Sequence, residues 1–117
     1  MWEIITTETY DRWHAELTMR EESRVLATLR FLQEEGPMLS RPYADTVKGS
    51  RFRHMKELRI QSHGDPLRVF FAFSPTRKGI LLCAGNKVGD EKRFYDIMIP
   101  IADQEYTEYL NHLYQSR

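Results

Sequence analysis

The chain has 117 residues, 41% of them hydrophobic and 29% charged, with 17 basic and 17 acidic side chains that cancel to a formal net charge of +0. That length and composition describe one domain with a core of its own, and they exclude a disordered chain. The only cysteine is Cys83, which excludes a disulfide framework, a C-x-x-C redox pair and a cysteine zinc site, and suits a reducing cytoplasm.

The N-terminal MWEIITTETY has early acids and no basic segment followed by an apolar one, so a signal peptide is not expected. No apolar run approaches the roughly 20 residues that cross a bilayer, and a soluble cytoplasmic protein is expected, with no membrane partner. The zero net charge hides a strong segregation. Residues 1–40 hold four basic and eight acidic side chains, residues 41–93 twelve and five, and residues 94–117 one and four. A basic middle between acidic ends points to a local anion-binding surface, because charges act over a Debye length and not over the chain average.

In chain order, WEIIT (residues 2–6) is a β-branched run suited to a first strand. Thr7 can cap a helix that starts at Glu8, in which Tyr10, Trp13 and Leu17 recur at helical spacing. A second helix is expected from about Met19 to Glu35, stopped by Gly36 and Pro37. Residues 37–50 read as a loop. Three strands follow, about Phe52 to Gln61, Leu67 to Phe73 and Ile80 to Gly85, and their short links demand antiparallel pairing. Asp90 is a suitable cap for a helix, and Pro100 is expected to begin a last one. The order β-α-α-β-β-β-α-α describes an α+β domain, helices packed on a mostly antiparallel sheet.

A turn centred on His63 and Gly64 sets the register of the hairpin within HMKELRIQSHGDPLRVFFAF. It pairs Ile60 with Leu67, Arg59 with Arg68, Leu58 with Val69, Glu57 with Phe70 and Lys56 with Phe71. Leu58, Ile60, Leu67, Val69, Phe71 and Phe73 then share the core face, since side chains alternate with period two. The other face brings Glu57, Arg59 and Arg68 together. Two arginines roughly 5 Å apart repel unless an anion lies between them. Either Glu57 neutralises them or a phosphate does, because guanidinium forks match phosphate oxygens.

The segment GNKVGDEKRFY (residues 85–95) adds Lys87, Lys92, Arg93 and Tyr95 near a helix start, where backbone N–H groups attract anions. It lacks the G-x-x-x-x-G-K-[ST] pattern of a nucleotide-triphosphate loop. The four histidines, His14, His54, His63 and His112, show no metal-ligand spacing with nearby acids, so no metal and no cofactor are expected. His54 stands beside the basic strand and could aid proton transfer. Cys83 lies mid-strand, where a small core residue is the plainer reading.

The combination GSRFRHMKELRI, PLRVFFAF and GNKVGDEKRFYDIMIPIADQEY, spanning about Lys48 to Tyr106, resembles the phage-derived Gp49-like branch of HigB toxins in the RelE/ParE superfamily of type II toxin–antitoxin systems. The resemblance implies a RelE-like fold and an endoribonuclease, an mRNA interferase that cleaves message on the ribosome without a metal. It implies silencing by a HigA-like antitoxin with a helix-turn-helix domain. In that chemistry the ribose 2′-OH attacks the adjacent phosphate, which needs a base, cations and an acid. Carried onto this chain, the resemblance implies Arg68, Arg93, Tyr95 and Lys87 as catalytic residues, and Lys56, Arg59, His54 and Lys92 as RNA contacts. Two other outcomes stay open: a gyrase-inhibiting toxin of the ParE type without nuclease activity, and an inactive prophage relic that binds nucleic acid.

Overall fold

The computed structural model describes residues 1–115. The strands are β1 (Glu3–Thr6), β2 (Ala44–Thr46), β3 (Lys56–Ser62), β4 (Asp65–Phe73) and β5 (Lys78–Asn86), in a single sheet ordered β1-β5-β4-β3-β2. The helices are α1 (Glu8–Ala15), α2 (Met19–Glu35) and α3 (Glu91–Gln115). β3, β4 and β5 form an antiparallel meander, β2 adds antiparallel to β3, and β1 closes the other edge parallel to β5. The fold is therefore α+β with a mostly antiparallel sheet, as the sequence leads one to expect.

Local chemistry explains the boundaries. The Thr7 hydroxyl accepts a hydrogen bond from the Tyr10 N–H, and Thr18 with Glu21 forms a reciprocal capping box at the start of α2. The β3–β4 turn has positive φ at both His63 (51°) and Gly64 (86°), the conformation that matches a two-residue hairpin to the twist of its strands. The hairpin register is the one the alternation predicts, from Lys56 opposite Phe71 to Ile60 opposite Leu67.

Two cores sandwich the sheet. On one face, Tyr10, Val25 and Leu32 of α1 and α2 pack on Leu58, Ile60, Leu67, Val69, Phe71 and Leu81. On the other, Ala102 and Tyr106 of α3 pack on Phe70, Ala72, Ile80, Leu82 and Cys83. A bulge between Phe70 and Phe71 leaves Leu82 as an extra residue in β5, so the consecutive Leu82 and Cys83 both reach the α3 core.

Four details differ from the sequence-based expectation. β2 falls inside the expected loop; three residues give no periodicity, and the strand exists because it pairs with β3. β3 begins at Lys56, not Phe52, because residues 52–55 turn, with the Met55 N–H donating to the Phe52 carbonyl. α3 is one helix running through Pro100, where two were expected; packing of Ala102 and Tyr106 on the sheet offsets the hydrogen bond that proline cannot make. The second face of the hairpin is charged only near its turn, and its other end belongs to the α3 core.

Candidate anion-binding site

Where α3 meets the hairpin, Glu57 of β3 lies between two guanidiniums. The Arg59 Nη1 donates to Glu57 Oε2 at 3.0 Å, and the Arg68 Nε lies 4.0 Å from Glu57 Oε1. The Tyr95 hydroxyl, reaching down from α3, donates to Glu57 Oε1 at 2.7 Å. Glu57 is 5% exposed and Arg68 only 4%. Burying these charges is expensive unless each is paired and hydrogen-bonded, and two partners share the one carboxylate. Glu57 is thus the resident counter-ion of the facing arginines.

The pairing is incomplete. Arg68 donates from Nη1 to the Leu67 carbonyl at 3.0 Å, but its buried Nε has no hydrogen-bond partner. Two arginines against one glutamate leave an excess positive charge, and the donor on Arg68 remains unspent. Burial first, and then the Glu57 carboxylate, push the Tyr95 phenol up to about 12, against the opposing effect of the Arg68 guanidinium. Tyr95 is held by edge contacts with Phe70 and Phe94, at 6.0 and 5.3 Å between ring centroids.

Sheet pairing carries the site onto β5, because Arg68 is opposite Gly85. A Cβ on Gly85 would come within 2.9 Å of Phe94 Cε1, so glycine lets the start of α3 close over this row. Lys87, two residues on and on the same face, is mostly buried, and its Nζ pairs with Glu91 at 3.1 Å. Asp90 caps α3 by accepting the Arg93 N–H at 3.1 Å. The Arg93 side chain is exposed on that first turn, beside Lys92, whose Nζ is tied to Asp96 at 2.8 Å.

Arg59, Arg68 and Tyr95 therefore meet at Glu57, with Lys87 along the same row and Lys92 and Arg93 at the adjoining helix start. Lys56 and His54 do not join them. Alternation turns Lys56 to the α1–α2 face, where it borders a shallow cleft with Arg41 and Asp45. His54 shares a cleft with Ala72, Phe73 and Tyr106, four residues along β4 from Arg68, or roughly 13 Å.

Three residues that the sequence reading passed over adjoin the cluster. Lys48 and Arg51 line a groove of about 400 Å³ with Tyr95 and Lys92. Asp103, buried on α3, accepts hydrogen bonds from the Ser50 hydroxyl and the Arg51 N–H. The signal for Asp103 was available: it shares a helical face with Ile99 and Tyr106, and a carboxylate on an apolar stripe needs partners.

Residues 12–107 match the family described as phage-derived protein Gp49-like. HigB3 of Mycobacterium tuberculosis, a toxin by designation only, is 42% identical over 107 residues, covering 92% of this chain and 92% of that protein. HigB2 of the same organism, likewise a toxin by designation only, is 43% identical over 104 residues. That alignment covers 88% of this chain, which spans about half (52%) of the relative's length. A solved structure of E. coli toxin RelE, a double arginine-to-alanine mutant in the free state, superposes with a TM-score of 0.58 over 95% of this chain and 96% of that one, at 11% identity. Sequence and fold agree, and the chain belongs to the phage-derived Gp49-like family, among the HigB toxins with a RelE-type fold.

Proposed function

We propose that this protein is the toxin of a type II toxin–antitoxin pair and acts as an mRNA interferase, cutting message on the ribosome. One observation supports the reading above all: two facing arginines share a single buried glutamate, and the Arg68 Nε has no hydrogen-bond partner. A phosphate entering there meets two guanidinium forks whose charge is only half compensated.

In the proposed reaction the RNA 2′-OH loses its proton to solvent and its oxygen bonds to the adjacent phosphorus. The bond from phosphorus to the 5′-oxygen breaks, that oxygen takes a proton, and the products are a cyclic 2′,3′-phosphate and a 5′-OH. Arg68 and Arg59 hold the phosphate oxygens as negative charge gathers on them, with Lys87 and Arg93 adding positive potential. Tyr95, pushed up to about 12, keeps its proton at neutral pH and suits a donor to the leaving oxygen better than a base. Lys56, Lys92 and His54 would contact RNA away from the reacting phosphate. The expected silencing partner is a HigA-like helix-turn-helix antitoxin.

Induced expression should arrest translation, with cleavage of messages mapped by primer extension. Tyr95→Phe removes only a hydroxyl and Arg68→Lys keeps the charge while losing the fork; each should cut cleavage at least tenfold and restore growth. If both variants stay fully toxic, the site is wrong. Arrest of replication with DNA damage before any loss of translation would favour gyrase as the target.

A further inference from the structure

The groove beside Tyr95 shares Tyr95 and Lys92 with the site above, but the rest of its lining has no part in that chemistry. It is lined by Ile99 and Pro100 of α3 and by the segment carrying Lys48 and Arg51. That segment is fixed from below. Asp103, 6% exposed, accepts the Ser50 hydroxyl and the Arg51 N–H (3.0 Å), and its Oδ2 lies 4.0 Å from the Arg51 Nε. Ser50 in turn accepts the Phe52 N–H at 3.0 Å. A helix carboxylate thus spends its hydrogen-bonding capacity on holding a basic loop in one position.

The charges of the groove are unequally committed. Lys92 is neutralised by Asp96, whereas Lys48 has no ion pair among the described residues and the Arg51 side chain is 58% exposed. Two cations therefore face solvent next to the tyrosine that touches Glu57.

We propose that this groove binds the single-stranded message beside the scissile phosphate, with Lys48 and Arg51 on its backbone phosphates and Asp103 as the residue that positions them. The inference rests on the nuclease reading. Continuity through Tyr95 supports it, since a strand with one phosphate at Arg59 and Arg68 has its next nucleotides within reach of the groove. The occupant follows from charge: exposed cations beside Ile99 and Pro100, on a loop held by Asp103, suit an extended polyanion.

The test is the kinetics of cleavage on ribosomes programmed with a short message. Lys48→Ala with Arg51→Ala should raise KM while leaving kcat within about twofold. Each phosphate contact on a single strand contributes about 0.7 to the salt slope, so between 50 and 200 mM KCl the wild type should lose about sevenfold more kcat/KM than the double variant. Asp103→Asn removes a negative charge, which by charge alone would strengthen RNA binding; a rise in KM, with the fold verified by thermal melting, marks its positioning role. Neutral methylphosphonate linkages flanking the cleavage site should reproduce the raised KM in the wild type and add nothing in the double variant. An unchanged KM and salt slope in the double variant overturns the inference and leaves the nuclease reading intact. So does methylphosphonate message that is cut as well as ordinary message, which would assign the groove to ribosomal RNA. A wild type that cuts no message overturns both.

Discussion

Glu57 is the residue on which the site turns. It separates two arginines that would otherwise repel across the hairpin, and it accepts the Tyr95 proton donor. Replacing it with glutamine keeps the shape and removes the charge. Glu57→Gln should lower the unfolding free energy by about 2 kcal/mol, as for loss of a charge-assisted hydrogen bond, measured by urea titration. Sulfate should then restore more stability to the variant than to the wild type, because an external anion takes over the role of counter-ion. Equal sulfate effects on the two proteins would contradict this. Tyr95 gives a pH signature. Its pKa is raised in the folded protein to about 12, from 10.0, so the folded state holds a proton that the unfolded chain releases earlier. Its contribution is fully present below pH 10 and is lost as pH rises toward 12. Tyr95→Phe should flatten that part of the stability profile, read from unfolding curves between pH 9 and 12.

Among the elements, the hairpin was the most legible. The alternation of both strands and a turn that accepts positive φ leave one register, and a slip by one residue would turn the set of one strand, Leu58 and Ile60 or Val69 and Phe71, out of the core. β2 and the unbroken α3 were not legible, since each depends on a partner distant in sequence and local signals spoke against them. The junction of β1 and α2 shows how tightly such partners fit. The Trp2 N–H donates to the Gln33 carbonyl at 2.8 Å, and the Trp2 ring lies against Gly36, which ends α2 with φ of 57°. Gly36→Ala would put a Cβ into that indole and strain the backbone. It should cost about 2–4 kcal/mol, by the sum of a left-handed conformation and an overpacked contact, and thermal melting would show it.

For the molecule as a whole, the basic middle of the sequence supplies the arginine pair and the Lys48 and Arg51 side of the groove, while Tyr95, Ile99, Pro100 and Asp103 come from the acidic segment that follows. Sequence could not show how α3 folds back over that region. Tyr95 and Asp103 come from a helix whose acids dilute the net charge, and their partners Glu57 and Ser50 lie 38 and 53 residues away. Alternation in the predicted register already sets Lys56 on the face opposite Arg59, whereas the turn over residues 52–55 that carries His54 away had no such signal. Cys83 offers a global probe. Buried in the α3 core, its thiol is pushed up to about 12, chiefly by burial. Its reaction with a disulfide reagent should proceed at the rate of global unfolding in the native protein and at once in denaturant. Fast native labelling would mean that α3 lifts off alone. The parallel pairing of β1 with β5 has a further consequence, for the order of synthesis. The first strand made waits for the last of the five, with the Thr7 hydroxyl donating to the Leu82 carbonyl across 75 residues, and Tyr95 is made later still. A nascent chain therefore cannot complete its sheet before β5 is made, nor the Glu57–Tyr95 contact before the first turns of α3 have followed, so the site assembles only after all five strands exist.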